Sequence, residues 1–232
     1  MQAMTVTPTI LFDLDGTLAD TALDLTETMN VVLAKHGRAR VPHERVREMV
    51  GGGARKIMER GFAYTGEPAS EDLLDQLFAE FLDHYGDHLA DHTQIFDGLV
   101  PALKTLEQRG YKLGVVTNKV EGLSLEVIKL LGLDTFFPVL IGGDTLPVRK
   151  PDPTPIFEAV SRLKGDRACT VMVGDSPFDI DAAKNAGVGS IAVSFGYTHV
   201  PPAEMGADRL IDHYDEFLPA LDSLLGELQL AR

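Results

Sequence analysis

The sequence has no tryptophan, one cysteine and few basic residues, 21 Lys and Arg against 35 Asp and Glu. Each shortage excludes something. Cys169 alone makes neither an internal disulfide nor a cysteine-based zinc site, and this fits a reducing compartment, with the cytoplasm the expectation. No stretch approaches the ~18 apolar residues that span a bilayer, so no membrane partner is expected. Residues 1–8 carry no basic residue and no apolar run, and do not read as a signal peptide. A formal net charge of −14 opposes encounter with nucleic acid, whose phosphates repel it at long range. What remains is a globular composition: 232 residues, 44% of them hydrophobic, suffice for one or two domains with a full core. Monomer and dimer are both open.

Short apolar runs alternate with helical patterns. Residues 9–12, 112–116, 139–141, 170–173 and 190–194 read as buried strands, and 209–211 as a weaker edge strand. Amphipathic segments lie between and after them, near 98–109, 120–132, 153–164, 177–186 and 214–228. Pro153, Pro155 and Pro177 sit where a first helical turn needs no N–H, and Gly110, Gly132 and Gly187 follow helix ends. This alternation predicts an α/β fold, a doubly wound and mostly parallel Rossmann-like sheet. Residues 20–92 interrupt it with four helical patterns (20–36, 43–49, 54–64 and 70–89) and no convincing strand. We expect an α/β core of residues 1–18 and 93–232, and an inserted helical cap of residues 19–92 of the kind that closes over an active site.

In a doubly wound sheet, ligands bind beyond the carboxyl ends of the strands. The residues found there are Asp13-Leu14-Asp15-Gly16-Thr17 after the first strand and Thr117-Asn118-Lys119 after the second. Further on come Arg149-Lys150-Pro151, and then Gly174-Asp175-Ser176-Pro177-Phe178-Asp179. Carboxylates gathered at one edge repel one another unless cations offset them. Lys150 is one such cation. Magnesium suits the rest, since it takes one or two carboxylates together with a substrate phosphate.

These four motifs, in order and at suitable spacing over nearly the whole chain, resemble the haloacid dehalogenase superfamily of aspartate-nucleophile phosphotransferases. The resemblance implies that Asp13 attacks phosphorus and becomes an aspartyl phosphate. It makes Asp15 the acid for the departing alcohol and then the base that activates water. Thr117 and the Asn118 amide would hold phosphoryl oxygens, and Lys150 would orient Asp13. Asp13, the Asp15 carbonyl and Asp175 would ligate Mg²⁺, with Asp179 supporting Lys150 or a metal-bound water. An Asp at position 15 favours phosphate esters over halides or phosphonates, because an alcohol leaves with a proton. A small anionic phosphate ester is therefore the expected partner. A sugar phosphomutase using the same aspartyl phosphate is the alternative enzyme. A phospho-accepting signalling switch, which combines Asp, Thr, Lys and Mg²⁺ on a similar sheet, is the alternative of another class.

Residues 35–60 carry eight basic residues against three acidic ones, and residues 61–103 carry none. Val50-Gly51-Gly52-Gly53-Ala54-Arg55, at a helix start, is similar to the cap segment of phosphoglycolate phosphatases within that superfamily. The resemblance implies that Gly53 amides and Arg55 hold the carboxylate of 2-phosphoglycolate, and that the basic stretch supplies the local attraction for an anion. His84, His88 and His92 share zinc-binding spacing, yet each follows an Asp and they read better as a solvated helix end. Cys169 reads as a packing residue.

Overall fold

A computed structural model describes residues 7–198 and 200–230. Residues 1–6 of the segment 1–8 that does not read as a signal peptide lie outside them, as do residues 199 and 231–232 of the expected core. In chain order, β1 (Thr9–Phe12) and a two-residue β2 (Ala19–Asp20) precede four consecutive helices. These are α1 (Ala22–Lys35), α2 (His43–Arg47), α3 (Ala54–Thr65) and α4 (Glu71–Asp87). Next come β3 (Gln94–Ile95), α5 (Leu99–Gln108), β4 (Lys112–Val116), α6 (Glu121–Leu130) and β5 (Val139–Ile141). The chain then runs through α7 (Thr154–Arg162), β6 (Thr170–Gly174), α8 (Pro177–Ala186), β7 (Gly189–Val193), β8 (Arg209–Ile211) and α9 (Phe217–Leu230).

Six strands form one sheet in the order β5-β4-β1-β6-β7-β8, every neighbouring pair parallel. Chain order runs outward from β1 to β5 on one side and resumes at β6 on the other. The switch point therefore lies at the carboxyl end of β1, where such sheets take their ligands.

The strand pleat divides the core. Ile10 and Phe12 face one layer with Leu103, Leu106 and Val127, and with Phe217, Leu221 and Leu225 of α9. Leu11 faces the opposite layer with Ile156 and Val160 of α7 and with Ala182 and Ala183 of α8. Burial on both sides explains why β1 and β6 read as continuous apolar runs rather than as alternation. The weak run at 209–211 is indeed the sheet edge.

Helices α1 to α4 pack on one another through Met29, Leu33, Phe62, Leu77 and Phe81. The segment carrying them leaves and rejoins the core through β2 and β3, which pair antiparallel as Ala19–Ile95 and Asp20–Gln94. The sequence reading placed no strand here, since two residues carry no periodicity. Arg47 bridges the segment to the core: its guanidinium pairs with Asp20 at 3.2 Å and lies over the Tyr197 ring. The Tyr197 hydroxyl in turn donates to Asp20 at 2.5 Å. Burial raises the Asp20 carboxyl, but Tyr197, the Ala22 N–H and Arg47 together hold it below its ordinary value. Among the described residues, no helix is long and apolar enough to cross a membrane.

Candidate active site

Asp13 directly follows β1, and its N–H donates to the Val173 carbonyl at 2.9 Å, so the strand ladder fixes its backbone. Leu14 is fully buried, which turns the side chains on either side of it outward from the core. Gly16 then reverses the chain with φ +79°. A Cβ there would lie 2.2 Å from Oδ2 of Asp175, so this turn excludes any larger residue.

Asp13 receives its contacts on one oxygen. Oδ1 accepts from the Leu14 N–H at 2.7 Å and lies 3.1 Å from the Lys150 ammonium. Among the described residues, Oδ2 has no hydrogen-bond donor. Lys150 also donates to Oδ1 of Asp179 at 2.5 Å and to the Val116 carbonyl at 2.6 Å. Asp179 is held from its other side by the Ser176 hydroxyl at 2.6 Å and the Ser176 N–H at 3.0 Å, closing a capping box at the start of α8. Asp175 accepts from the Tyr197 N–H at 2.6 Å.

Burial pushes the Asp13 carboxyl up to about 7 against the pull of Lys150, with Asp179 and Asp15 adding to the rise. The Asp175 carboxyl is pushed well above its ordinary value by burial and by its two acidic neighbours. Burial would lower Lys150, but Asp13 and Asp179 more than offset it and hold the ammonium above its ordinary value. One cation thus faces three buried carboxylates. Asp13, Asp175 and Asp179 each offer an oxygen, all within 4.8 Å of one another. That all-oxygen set with surplus negative charge fits a hard divalent cation. Asp179 is tied on both oxygens to Lys150 and Ser176 at 2.5–3.0 Å, whereas Oδ1 of Asp175 accepts only a long 3.5 Å bond from the Thr17 hydroxyl, so Asp13 and Asp175 are the carboxylates best placed to turn toward a metal.

Thr117 and Asn118 follow β4. The Thr117 N–H continues the ladder to Ile141 at 2.9 Å, and its hydroxyl accepts from the Lys119 N–H at 3.2 Å. The Asn118 side chain donates to the Gly51 and Lys150 carbonyls at 3.2 and 3.1 Å, joining the helical segment to the core. Asp15 also uses a single oxygen: Oδ1 accepts from Lys119 at 2.8 Å and from the Thr21 hydroxyl at 2.7 Å. Its Oδ2 has no donor among the described residues.

A cavity brings several of these groups together. Asp13, Asp15, Thr117, Asn118 and Lys119 form its polar floor. Gly51 and Gly53 border it, and Leu25, Val50, Ile57, Phe81, Leu82, Tyr85 and Leu123 wall it. Lys150, Asp175 and Asp179 sit behind the floor.

Two expectations meet a different arrangement. Arg55 does not line the cavity: its guanidinium pairs with Glu71 at 2.6 Å and Asp75 at 3.0 Å, within the helical segment. Nor does the basic stretch supply a positive wall. Arg40 pairs with Glu27, Arg45 with Glu48, Arg47 with Asp20 and Lys56 with Glu59, while Arg38 and Arg60 donate to backbone carbonyls. Runs of one sign on adjacent helices find opposite charges nearby, and sequence counts do not show this pairing. The histidines separate too. His84 and His88 stack, whereas His92 is held through its N–H by Asp24, and the only metal-competent cluster among the described residues is the aspartate trio.

Sequence reasoning missed Lys119 and Tyr85. The Lys119 ammonium donates to the Tyr85 hydroxyl at 2.7 Å and to Asp15, and it is buried. The signal available was a lysine directly after the Thr-Asn pair at a strand end. Its partner on α4 lies 34 residues away, beyond any local pattern.

A doubly wound sheet with paired aspartates after its central strand and a buried lysine behind them defines a class of hydrolase. The chain belongs to the haloacid dehalogenase-like hydrolase family, whose family model matches residues 10–193. It is 42% identical over 217 residues to a phosphoglycolate phosphatase of Caulobacter vibrioides, covering 94% of this chain and 92% of that one. It is 37% identical to an N-acetylmuramic acid 6-phosphate phosphatase of Pseudomonas aeruginosa, covering 93% of this chain and 95% of the relative. A crystal structure of a predicted phosphoglycolate phosphatase from Haemophilus somnus matches with a TM-score of 0.86 at 28% identity, over 94% of this chain and 99% of that one.

Proposed function

We propose that this protein is a cytoplasmic, Mg²⁺-dependent phosphatase that hydrolyses a small phosphate monoester, 2-phosphoglycolate, to glycolate and phosphate through an aspartyl phosphate on Asp13. One observation carries the reading: Asp13 and Asp15 share a cavity floor, and each has one carboxylate oxygen held and the other without a donor among the described residues. Oδ2 of Asp13 attacks phosphorus while Oδ2 of Asp15 gives its proton to the departing alcohol oxygen. Asp15, now a carboxylate, takes a proton from the water that cleaves the acyl phosphate, so each step leaves the group in the form that the next requires. Thr117 and Asn118 hold the phosphoryl oxygens, and Lys150 balances charge on Asp13 and keeps its Oδ1 fixed. Asp13, Asp175 and the Asp15 carbonyl would hold Mg²⁺, which would supply the screening that lets one anion approach another.

The name shared by relatives such as the Caulobacter enzyme supports the substrate, as does a cavity with aliphatic walls that offers few partners to a polyhydroxylated sugar. Phosphate release with Mg²⁺ should be compared for 2-phosphoglycolate, N-acetylmuramic acid 6-phosphate, glucose 1-phosphate, phosphoserine and pyrophosphate. Phosphoglycolate is expected to give the highest kcat/KM, and Asp13→Asn to lower kcat by at least about 10³-fold, as losing an essential nucleophile does. Undiminished activity in that variant, or no Mg²⁺-dependent turnover of any ester, overturns the mechanism.

A further inference from the structure

The cavity floor contains one cation, Lys119, and its surroundings raise a question that the phosphoryl chemistry leaves unanswered. The ammonium is buried, and its hydrogen bonds run to Asp15 at 2.8 Å and Tyr85 at 2.7 Å. An ammonium has three donors, so one N–H remains. The Tyr85 hydroxyl is equally unfinished. It accepts from Lys119, and its own proton has no acceptor among the described residues. Burial pushes this phenol up to about 12, so it keeps that proton at neutral pH. A buried N–H and a buried O–H thus remain available side by side in two residues that both line the cavity. Leaving buried polar hydrogens unpaired is costly, and a ligand that accepts both recovers that cost.

We propose that Lys119 and Tyr85 form the receptor for a carboxylate on the alcohol part of the substrate, and so set the selectivity of the enzyme for phosphorylated hydroxy acids. The inference rests on the phosphatase reading above and names the groups that recognise its substrate. Connectivity supports it. In 2-phosphoglycolate the carboxylate carbon is two bonds from the ester oxygen that Asp15 protonates, each bond about 1.5 Å long. A carboxylate receptor must therefore adjoin Asp15, and Lys119 is hydrogen-bonded to it. Electrostatics requires a cation there as well, because the floor otherwise presents Asp13 and Asp15 to an incoming carboxylate. Arg55, turned to Glu71 and Asp75, does not supply one.

The test is a selectivity ratio: kcat/KM for 2-phosphoglycolate divided by kcat/KM for ethyl phosphate, which lacks the carboxylate. In Lys119→Met the ratio should fall by about 10- to 100-fold, the range for losing a charged hydrogen bond, mainly through KM for phosphoglycolate. Tyr85→Phe, which keeps the ring and removes only the hydroxyl, should lower the ratio by about 3- to 10-fold, and its melting curve reports that the fold persists. An unchanged ratio in both variants, with both substrates slowed equally, overturns the inference and leaves Lys119 as a group that only positions Asp15. Wild-type enzyme that does not prefer phosphoglycolate to ethyl phosphate overturns the substrate reading and this inference together. Wild-type preference that survives in Lys119→Met overturns this inference alone.

Discussion

Lys150 touches two carboxylates and a carbonyl with one buried ammonium, and its pull on Asp13 does not offset the burial that raises that carboxyl. Unfolded, Asp13 titrates near the ordinary 3.8; folded and metal-free, it titrates near 7. The folded state holds this proton more tightly. The stability so gained is complete below the unfolded value and is lost as pH rises through 7. Metal-free protein should therefore show a lower urea midpoint at pH 8 than at pH 5.5. Mg²⁺ should raise the midpoint more at pH 8, where Asp13 no longer has to lose a proton to bind it. In Asp13→Asn both differences should shrink. A metal-free midpoint that rises toward pH 8 would contradict the raised carboxyls of Asp13 and Asp175 in this cluster.

The helical segment meets the core at the Asn118–Gly51 hydrogen bond, at the Arg47–Asp20 ion pair and where Gly53 approaches Asn118. Gly53 caps the start of α3 with φ +86° and ψ 166°, a region nearly closed to other residues. A Cβ there would lie 2.9 Å from the Asn118 carbonyl oxygen, at the loop that also carries Thr117 and Lys119. Gly53→Ala should cost about 1–3 kcal/mol from backbone strain alone. It should also lower kcat/KM more than it lowers the folded fraction, because the loop meets backbone that cannot yield. Thermal melts and kinetics on the same sample check both, and full activity in a stable variant would mean that this approach is unimportant.

Legibility divides at the same junction. Strands Thr9–Phe12, Lys112–Val116 and Val139–Ile141 match the sequence expectation to the residue because double-sided burial writes itself as a continuous apolar run. Asp13, Asp15, Thr117 and Asp175 are readable because each lies at or just past a strand end, and Lys150 because it falls in the loop that follows β5. Strands β2 and β3 are not, being shorter than any period. The partners of Arg55 and Lys119 are not readable either, for they lie 16 to 104 residues away and only packing brings them together.

Across the whole molecule, the net charge of −14 faces an anionic substrate without a basic funnel, since the arginines of residues 35–60 are tied to acids or carbonyls. Repulsion acts at long range and is screened within a Debye length of about 8–10 Å at moderate salt, whereas Lys119 acts at contact and is not. With free Mg²⁺ held constant, raising NaCl from about 20 to about 200 mM should leave kcat/KM for phosphoglycolate unchanged or raise it up to about 2-fold. A several-fold fall would reveal a positive steering field that the ion pairs argue against.

The antiparallel contact of Ala19–Asp20 with Gln94–Ile95 places the two ends of the four-helix segment side by side. Everything between them is, to the six-stranded sheet, a single excursion that returns to where it began. The segment can therefore lengthen or repack between a fixed pair of joints while the catalytic edge keeps its strand order, and the cavity that both parts line registers any such change through Tyr85 and Lys119.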